Sequence, residues 1–383
     1  MSEPVLDILD RLIAFDTVSA KSNLPLIDYV QDFLQQRGFE THRFADETGL
    51  KAGLYASLGP ANDGILLSAH SDVVPVDGQT WTMDPFRLTA EDGKLYGRGT
   101  CDMKGYLAAM LACADKAAGL RLAAPLKLSI SYDEEVGCVG IQQMKNHLAP
   151  LLGTPRMCFV GEPTQMQVAI GHKGKAAYRA VCHGSEGHSA MAPMFANALH
   201  VALDFGQALR DLQQDYASAE PQDAAYDIPH ATVHLGKMSG GRALNMIPDT
   251  AVLDFEFRYL ATDSRAAFDK KLASRASDIA ARHQELSTQA SIEIEAVMSY
   301  PGLALDPDHS AIDFAKSLCS AKDTIKVSFG TEAGVFAEMG VPTVVCGPGS
   351  MQNQGHKPDE YLELSQLRQC QNMLEGILRD LET

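Results

Sequence analysis

Apolar positions fall into two spacings along this chain, and the changes between them mark its elements. Leu6, Leu9, Leu12 and Ile13 recur at helical spacing and predict an opening amphipathic helix. Leu26, Val30 and Leu34 predict a second, stopped near Gly38. Residues 53–58, 65–69, 126–132 and 157–160 are short strand-like runs, and 65–69, apolar but for Ser68 and flanked by Gly64, is as expected of a buried strand. Residues 105–118 read as a helix of small and apolar residues. Strands alternating with helices predict an α/β layer around a mostly parallel sheet. In such sheets, sites collect beyond the carboxyl ends of the strands.

The pattern changes after Gly171. A strand at 176–181, a helix at 196–212, strands at 231–237 and 251–259, a helix at 264–283 and a strand at 291–297 follow in the order βαββαβ. That is the ferredoxin-like split unit. The α/β pattern then resumes with a helix at 309–321, a strand at 343–346 and a helix at 365–381. The expected organisation is a discontinuous α/β domain of residues 1–171 and 299–383, with an α+β domain of residues 172–298 inserted into it.

A net charge of −17 over 383 residues disfavours any role that grips nucleic-acid phosphates. The eight cysteines form no C-x-x-C pair, which suits reduced thiols and a cytoplasmic home. Asp7, Asp10 and Arg11 interrupt the first apolar stretch, so neither a signal peptide nor a bilayer-spanning segment is expected.

The candidate chemistry sits where strands end. His70 and Asp72 follow the run 65–69, and Asp102 lies in Gly99-Thr100-Cys101-Asp102-Met103-Lys104-Gly105. Glu134 and Glu135 follow the run 126–132, Glu162 follows 157–160, and His356 lies near the C-terminus. Singly, each has an ordinary reading. Asp72 belongs to a weak H-x-D match, Asp102 would cap the following helix, and Glu134-Glu135 would be a solvated pair. Glu162 would sit in a turn and His356 in a loop. Together, two imidazoles and several carboxylates at one sheet edge suit a cage for two divalent metal ions.

These residues stand in longer motifs. They include Leu66-Leu67-Ser68-Ala69-His70-Ser71-Asp72-Val73-Val74-Pro75, Trp81-Thr82-Met83-Asp84-Pro85-Phe86 and Leu95-Tyr96-Gly97-Arg98 leading to Asp102. Asp133-Glu134-Glu135, Gly161-Glu162-Pro163-Thr164, Gly187-His188-Ser189-Ala190, Gly347-Pro348-Gly349-Ser350 and His356-Lys357-Pro358-Asp359-Glu360-Tyr361-Leu362 complete the set. In these motifs the chain resembles the M20 family of metallopeptidases and amidohydrolases over nearly its whole length, and within it most closely the acetylornithine deacetylases. The resemblance implies a dinuclear metallohydrolase domain carrying a lid and dimerisation domain, hence a homodimer. It implies that His70 and Glu162 complete one metal site, Glu135 and His356 the other, and that Asp102 bridges them. Glu134 would be general base and acid, and Asp72 would orient His70. Zinc is the implied metal, with cobalt as a replacement, and the Asp102–Met103 peptide would be cis. His188 would reach the partner subunit's active site to stabilise an oxyanion, with Asn245 as its polar partner, and Arg258 would hold a substrate carboxylate. The plainer readings are a surface-loop histidine for His188 and a strand-edge ion pair for Arg258.

The segment Ser328-Phe329-Gly330-Thr331-Glu332-Ala333-Gly334-Val335-Phe336 bears on the substrate. Similar desuccinylases of succinyl-diaminopimelate carry an arginine where Val335 falls. Glu332 stands as in similar acetylornithine deacetylases, where a carboxylate would pair with the substrate's side-chain amine. The implied activity is hydrolysis of N-acetyl-L-ornithine to L-ornithine and acetate, in arginine biosynthesis. A broader N-acyl-amino-acid amidohydrolase, the desuccinylase and a dipeptidase stay open. A non-catalytic metal-binding scaffold is disfavoured, because every candidate ligand and Glu134 are present.

Overall fold

Four parallel strands form the centre of the main sheet, in the order Leu126–Ser131, Ile65–His70, Met157–Pro163 and Thr343–Gly347. The computed structural model describes residues 4–60, 63–219, 222–319 and 321–382. The antiparallel strands Ala52–Leu58 and Glu40–Ala45 extend the sheet on one side. On the other, Val168–His172 joins antiparallel and is itself flanked by Leu303–Ala304 and Thr324–Val327. The central strands are buried along their whole length; Ile65–His70 and Met157–Pro163 accordingly open as mainly apolar runs, while Leu126–Ser131 alternates and buries Lys127, Ser129 and Ser131 as well. Helix Lys104–Ala117 is buried on nearly every side between Pro4–Ile13 and Leu364–Leu381, so its sequence shows little amphipathic pattern.

The chain forms two compact units, residues 1–172 with 303–383 and residues Lys173–Gly302. The second ends four residues later than the sequence pattern suggests, because strand Ser291–Tyr300 runs on past a bulge to pair Tyr300 with Lys175. Its sheet is antiparallel, ordered Thr232–Gly240, Thr250–Tyr259, Gly174–His183 and Ser291–Tyr300. Strand Thr250–Tyr259 alternates strictly between buried and partly exposed residues. Its buried face meets helices Ala198–Ser218 and Arg265–Gln284, with Phe257 stacked on Phe268 at 3.9 Å between ring centroids. Ser264 starts the second helix by accepting the Ala267 N–H at 3.2 Å.

Several elements carry no clear sequence pattern. Helix Val139–Leu152 begins after Cys138 in a left-handed conformation and contains Pro150, both of which blur its start and end. Helix Ser310–Cys319 is shorter than expected at both ends, and residue 320 lies outside the described residues. Among the described residues, no helix is long and apolar enough to cross a membrane.

Candidate metal centre

His70 is the last residue of its strand and is fully buried. Its Nδ1 lies 2.9 Å from the backbone carbonyl of Asp72. A carbonyl can only accept, so Nδ1 carries a proton and Nε2 is the nitrogen turned toward the carboxylates. Nε2 lies 3.1 Å from Oδ1 of Asp102 and 3.5 Å from Oε1 of Glu162. Asp72 therefore meets the ring first through its carbonyl; its carboxylate stands off at 3.5 Å. That carboxylate has other partners. It accepts the Ser19 hydroxyl at 2.6 Å and the backbone N–H groups of Glu134 at 3.0 Å and Glu135 at 3.3 Å. Asp72 thus holds the turn that presents both glutamates.

Asp102 does not cap helix Lys104–Ala117; Met103 occupies that position, and the Asp102–Met103 peptide is cis. The loop reaches Asp102 through Gly99, at φ +85°, where a Cβ would lie 2.7 Å from Val73 Cγ1. The other Asp102 oxygen, Oδ2, lies 3.1 Å from His356 Nε2, and that same nitrogen is 3.0 Å from Glu135 Oε2. Glu162 lies within its strand, beyond the run that the sequence pattern marks. Its neighbour Gly161 lets Tyr106 approach where a Cβ would stand 2.1 Å from the ring. Two groups result, His70–Asp102–Glu162 and Asp102–Glu135–His356, with the donor atoms of each within 4.8 Å of one another. Glu134 sits at the same rim, its Oε1 accepting the Cys138 thiol at 3.2 Å.

The acids repel one another. Burial, then the Asp102 charge, raises Glu162 well above the usual carboxylate range. Burial also raises Glu134 well above its ordinary value, with Glu135 and Asp102 adding to the shift. Glu135 is pushed up to about 7 by burial and Asp102. Burial works against the Asp102 charge too, yet hydrogen bonds from His356 and His70 hold its carboxyl well below the ordinary range. Buried Glu162 Oε1 has no hydrogen-bond partner among the described residues. Converging carboxylates, an orphaned oxygen and two imidazole nitrogens are what a divalent cation would satisfy, and the nitrogen and oxygen donors suit zinc or cobalt.

The remaining expected residues are placed differently. In the second unit, Gly187–His188 pairs with Met246–Ile247, and the Asn245 carbonyl accepts the Ser189 N–H at 3.1 Å. His188 and Asn245 are thereby neighbours, both exposed. His188 Nδ1 accepts the Ala190 N–H at 3.2 Å, which leaves Nε2 as a donor in the neutral ring. Arg258 stands on an inner strand of its sheet, not an edge, with Nε 2.7 Å from Glu256 Oε1. Glu332 is fully buried; it accepts the Ser68 hydroxyl at 3.0 Å, and its Oε1 has no hydrogen-bond partner among the described residues. Ser19, Arg98 and Glu360 carry no functional mark in the sequence pattern, although the last two lie inside the quoted motifs. Nothing in a sequence marks a surface-type residue as buried.

The family model for "Peptidase family M20/M25/M40" matches residues 66–380, and the chain belongs to that family of metal-dependent hydrolases. A protein named acetylornithine deacetylase from Myxococcus xanthus is 35% identical over 373 residues, covering 96% of this chain and 94% of that protein. The fold is shared with an M20 family metallo-carboxypeptidase from Sulfolobus solfataricus, at a TM-score of 0.81 and 18% identity over 99% of both chains. It is shared also with a dinuclear metal-binding peptidase of the family from Bacillus subtilis, at a TM-score of 0.69 and 16% identity over 98% of this chain and 97% of that one.

Proposed function

We propose that this chain removes the acetyl group of N-acetyl-L-ornithine, releasing L-ornithine and acetate, with two zinc ions held by the paired ligand groups. The hydrolytic part rests on one observation, the sharing of Asp102 by both groups beside Glu134. The substrate rests on the 35% identity to the Myxococcus protein and on Val335 standing where desuccinylases carry arginine.

In this reading His70 and Glu162 would hold one ion, Glu135 and His356 the other, and Asp102 would serve both. Zinc or cobalt bound there would polarise the amide carbonyl and make water more acidic. Glu134 takes the proton of the attacking water and gives it to the departing amine nitrogen. A raised pKa suits a group that must both accept and return that proton. His188, through Nε2–H, and Asn245 donate to the oxyanion in the site of a partner copy, within a homodimer. Arg258, with Nε committed to Glu256, offers its outer nitrogens to the substrate carboxylate. Residues 173–302 act as lid and dimerisation domain, and the enzyme serves arginine biosynthesis in the cytoplasm.

A second reading, a broader N-acyl-amino-acid amidohydrolase, is favoured by the burial of Glu332, whose Oε2 is already engaged by Ser68. Hydrolysis of N-acetyl-L-ornithine, N-acetylmethionine and N-succinyl-diaminopimelate, before and after chelation and zinc reloading, separates the two. A metal-dependent preference for acetylornithine supports the first. Comparable rates with acetylmethionine support the second. No turnover of any, with metal bound, overturns both.

A further inference from the structure

Glu360 is a buried carboxylate that belongs to neither ligand group, yet it organises one member of both. Its Oε1 accepts three backbone N–H groups, from Gly99 at 3.1 Å, Cys101 at 2.9 Å and Asp102 at 3.1 Å. Its own carbonyl accepts the Gly97 N–H at 3.0 Å. The loop that delivers Asp102 is therefore wrapped around one residue from the far end of the chain. Oε2 accepts from Nη1 of the equally buried Arg98 at 2.5 Å. The second Arg98 nitrogen, Nη2, donates to Gln79 Oε1 at 2.5 Å, and the guanidinium lies 5.0 Å from the Trp81 ring centroid. Gln79 Nε2 in turn donates to the backbone carbonyl of His356 at 2.9 Å.

These bonds make one chain from the Asp102 N–H through Glu360, Arg98 and Gln79 to the His356 carbonyl. Its two ends are the residues whose side chains meet at 3.1 Å. His356 also adopts φ +61°, a left-handed conformation that a non-glycine residue keeps only when its surroundings impose it. A buried ion pair is poor value as a source of stability, since apolar residues of similar size often serve as well. Its merit here is directional. Only a charged carboxylate can take three converging N–H groups and a guanidinium at once.

We propose that Arg98, Glu360 and Gln79 are positioning residues, a clamp that sets Asp102 and His356 at the spacing a cation needs. The proposal rests on reading Asp102–Glu135–His356 as a metal site. In Glu360→Gln the amide nitrogen must face donors, either Arg98 or the three N–H groups, and the charge that gathers them is lost, so the hold on the Asp102 loop loosens along with the link to Arg98. Gln79→Ala frees only the His356 end. The double variant Arg98→Met/Glu360→Gln removes both buried charges, which protects folding if the single variant fails to fold.

The test is titration of metal-free protein with cobalt(II), followed by calorimetry and by visible absorption, alongside thermal melts without metal. The wild type should bind two ions. Gln79→Ala should weaken one by about 10- to 100-fold, the range typical of outer-shell partners, and leave the other unchanged. Glu360→Gln, or the double variant in its place, should weaken both and alter the cobalt spectrum, because Asp102 serves both. Wild-type affinities and spectrum in all variants, with only the melting temperature lowered, would overturn the clamp and leave the metal reading standing. A wild type that binds no cobalt would overturn the metal reading, and the clamp with it.

Discussion

Asp102 and His356 meet side chain to side chain, Oδ2 to Nε2 at 3.1 Å, although the whole second unit lies between them in sequence. Because Asp102 also belongs with His70 and Glu162, it serves both ligand groups, whereas His356 serves one. Asp102→Ala is expected to lose both bound ions, and His356→Ala only one. Each loss should exceed the roughly 10- to 100-fold cost of disturbing an outer-shell partner. Elemental analysis after gel filtration gives the metal content. Equal content in the two variants would contradict the shared-ligand arrangement.

Asp72 and Glu134 are separable. Glu134→Gln should lower kcat by about 100- to 10,000-fold, the usual worth of a general acid–base group, with metal content unchanged. Asp72→Ala keeps the backbone carbonyl that holds His70 Nδ1 but loses the acceptor of the Glu134 and Glu135 N–H groups. Its expected signature is reduced turnover with the His70-side ion retained. Preferential loss of that ion would mean that the carboxylate, and not the carbonyl, orients the ring.

Glu332→Gln tests burial against recognition. Burial raises the Glu332 pKa, so a neutral amide of the same shape is a mild change that costs about 1 kcal/mol of stability. The ratio of kcat/KM for acetylornithine over acetylmethionine should stay as in the wild type. A tenfold fall, about 1.4 kcal/mol of discrimination, would show that the carboxyl reaches the substrate after all.

Lys104 gives a pH dependence whose sign is fixed. It is fully buried, its Nζ donates to the Phe15 carbonyl at 2.7 Å, and burial lowers its pKa from 10.5 to about 7. Between those values the unfolded chain holds a proton that the folded chain has released, so raising the pH favours folding. Below about 7 both states are protonated and the cost of the buried charge is constant; above 10.5 neither is, and the gain is complete. Relative to Lys104→Met, the wild type should gain stability across that window, with a slope approaching about 1.4 kcal/mol per pH unit. Parallel denaturation curves for the two proteins at every pH would refute it.

The strands at 65–69 and 157–160 were legible because burial on both faces leaves a mainly apolar run, and His70 ends one of them. The βαββαβ order of the second unit was legible because its strands have one face against helices and one outside, as in Thr250–Tyr259. Charged residues that fold inward were not legible. Glu332, Lys104, Arg98 and Glu360 have the same composition as solvated residues, and only tertiary contact reveals that they are buried. The role of Asp72 was half legible, since sequence gives its nearness to His70 but not which of its oxygens meets the ring.

The chain leaves the main sheet after His172 and rejoins it at Leu303, and these two residues face each other in an antiparallel pair. A two-residue turn is all that such a pair needs to become an ordinary hairpin. Everything from 173 to 302 is therefore topologically dispensable to the sheet, and all five residues of the two ligand groups lie outside the excised stretch. A miniaturised protein closed in this way should still capture metal ions while lacking His188, Asn245 and Arg258. It would divide the molecule into an ion-binding core and an appended module, each assayable without the other.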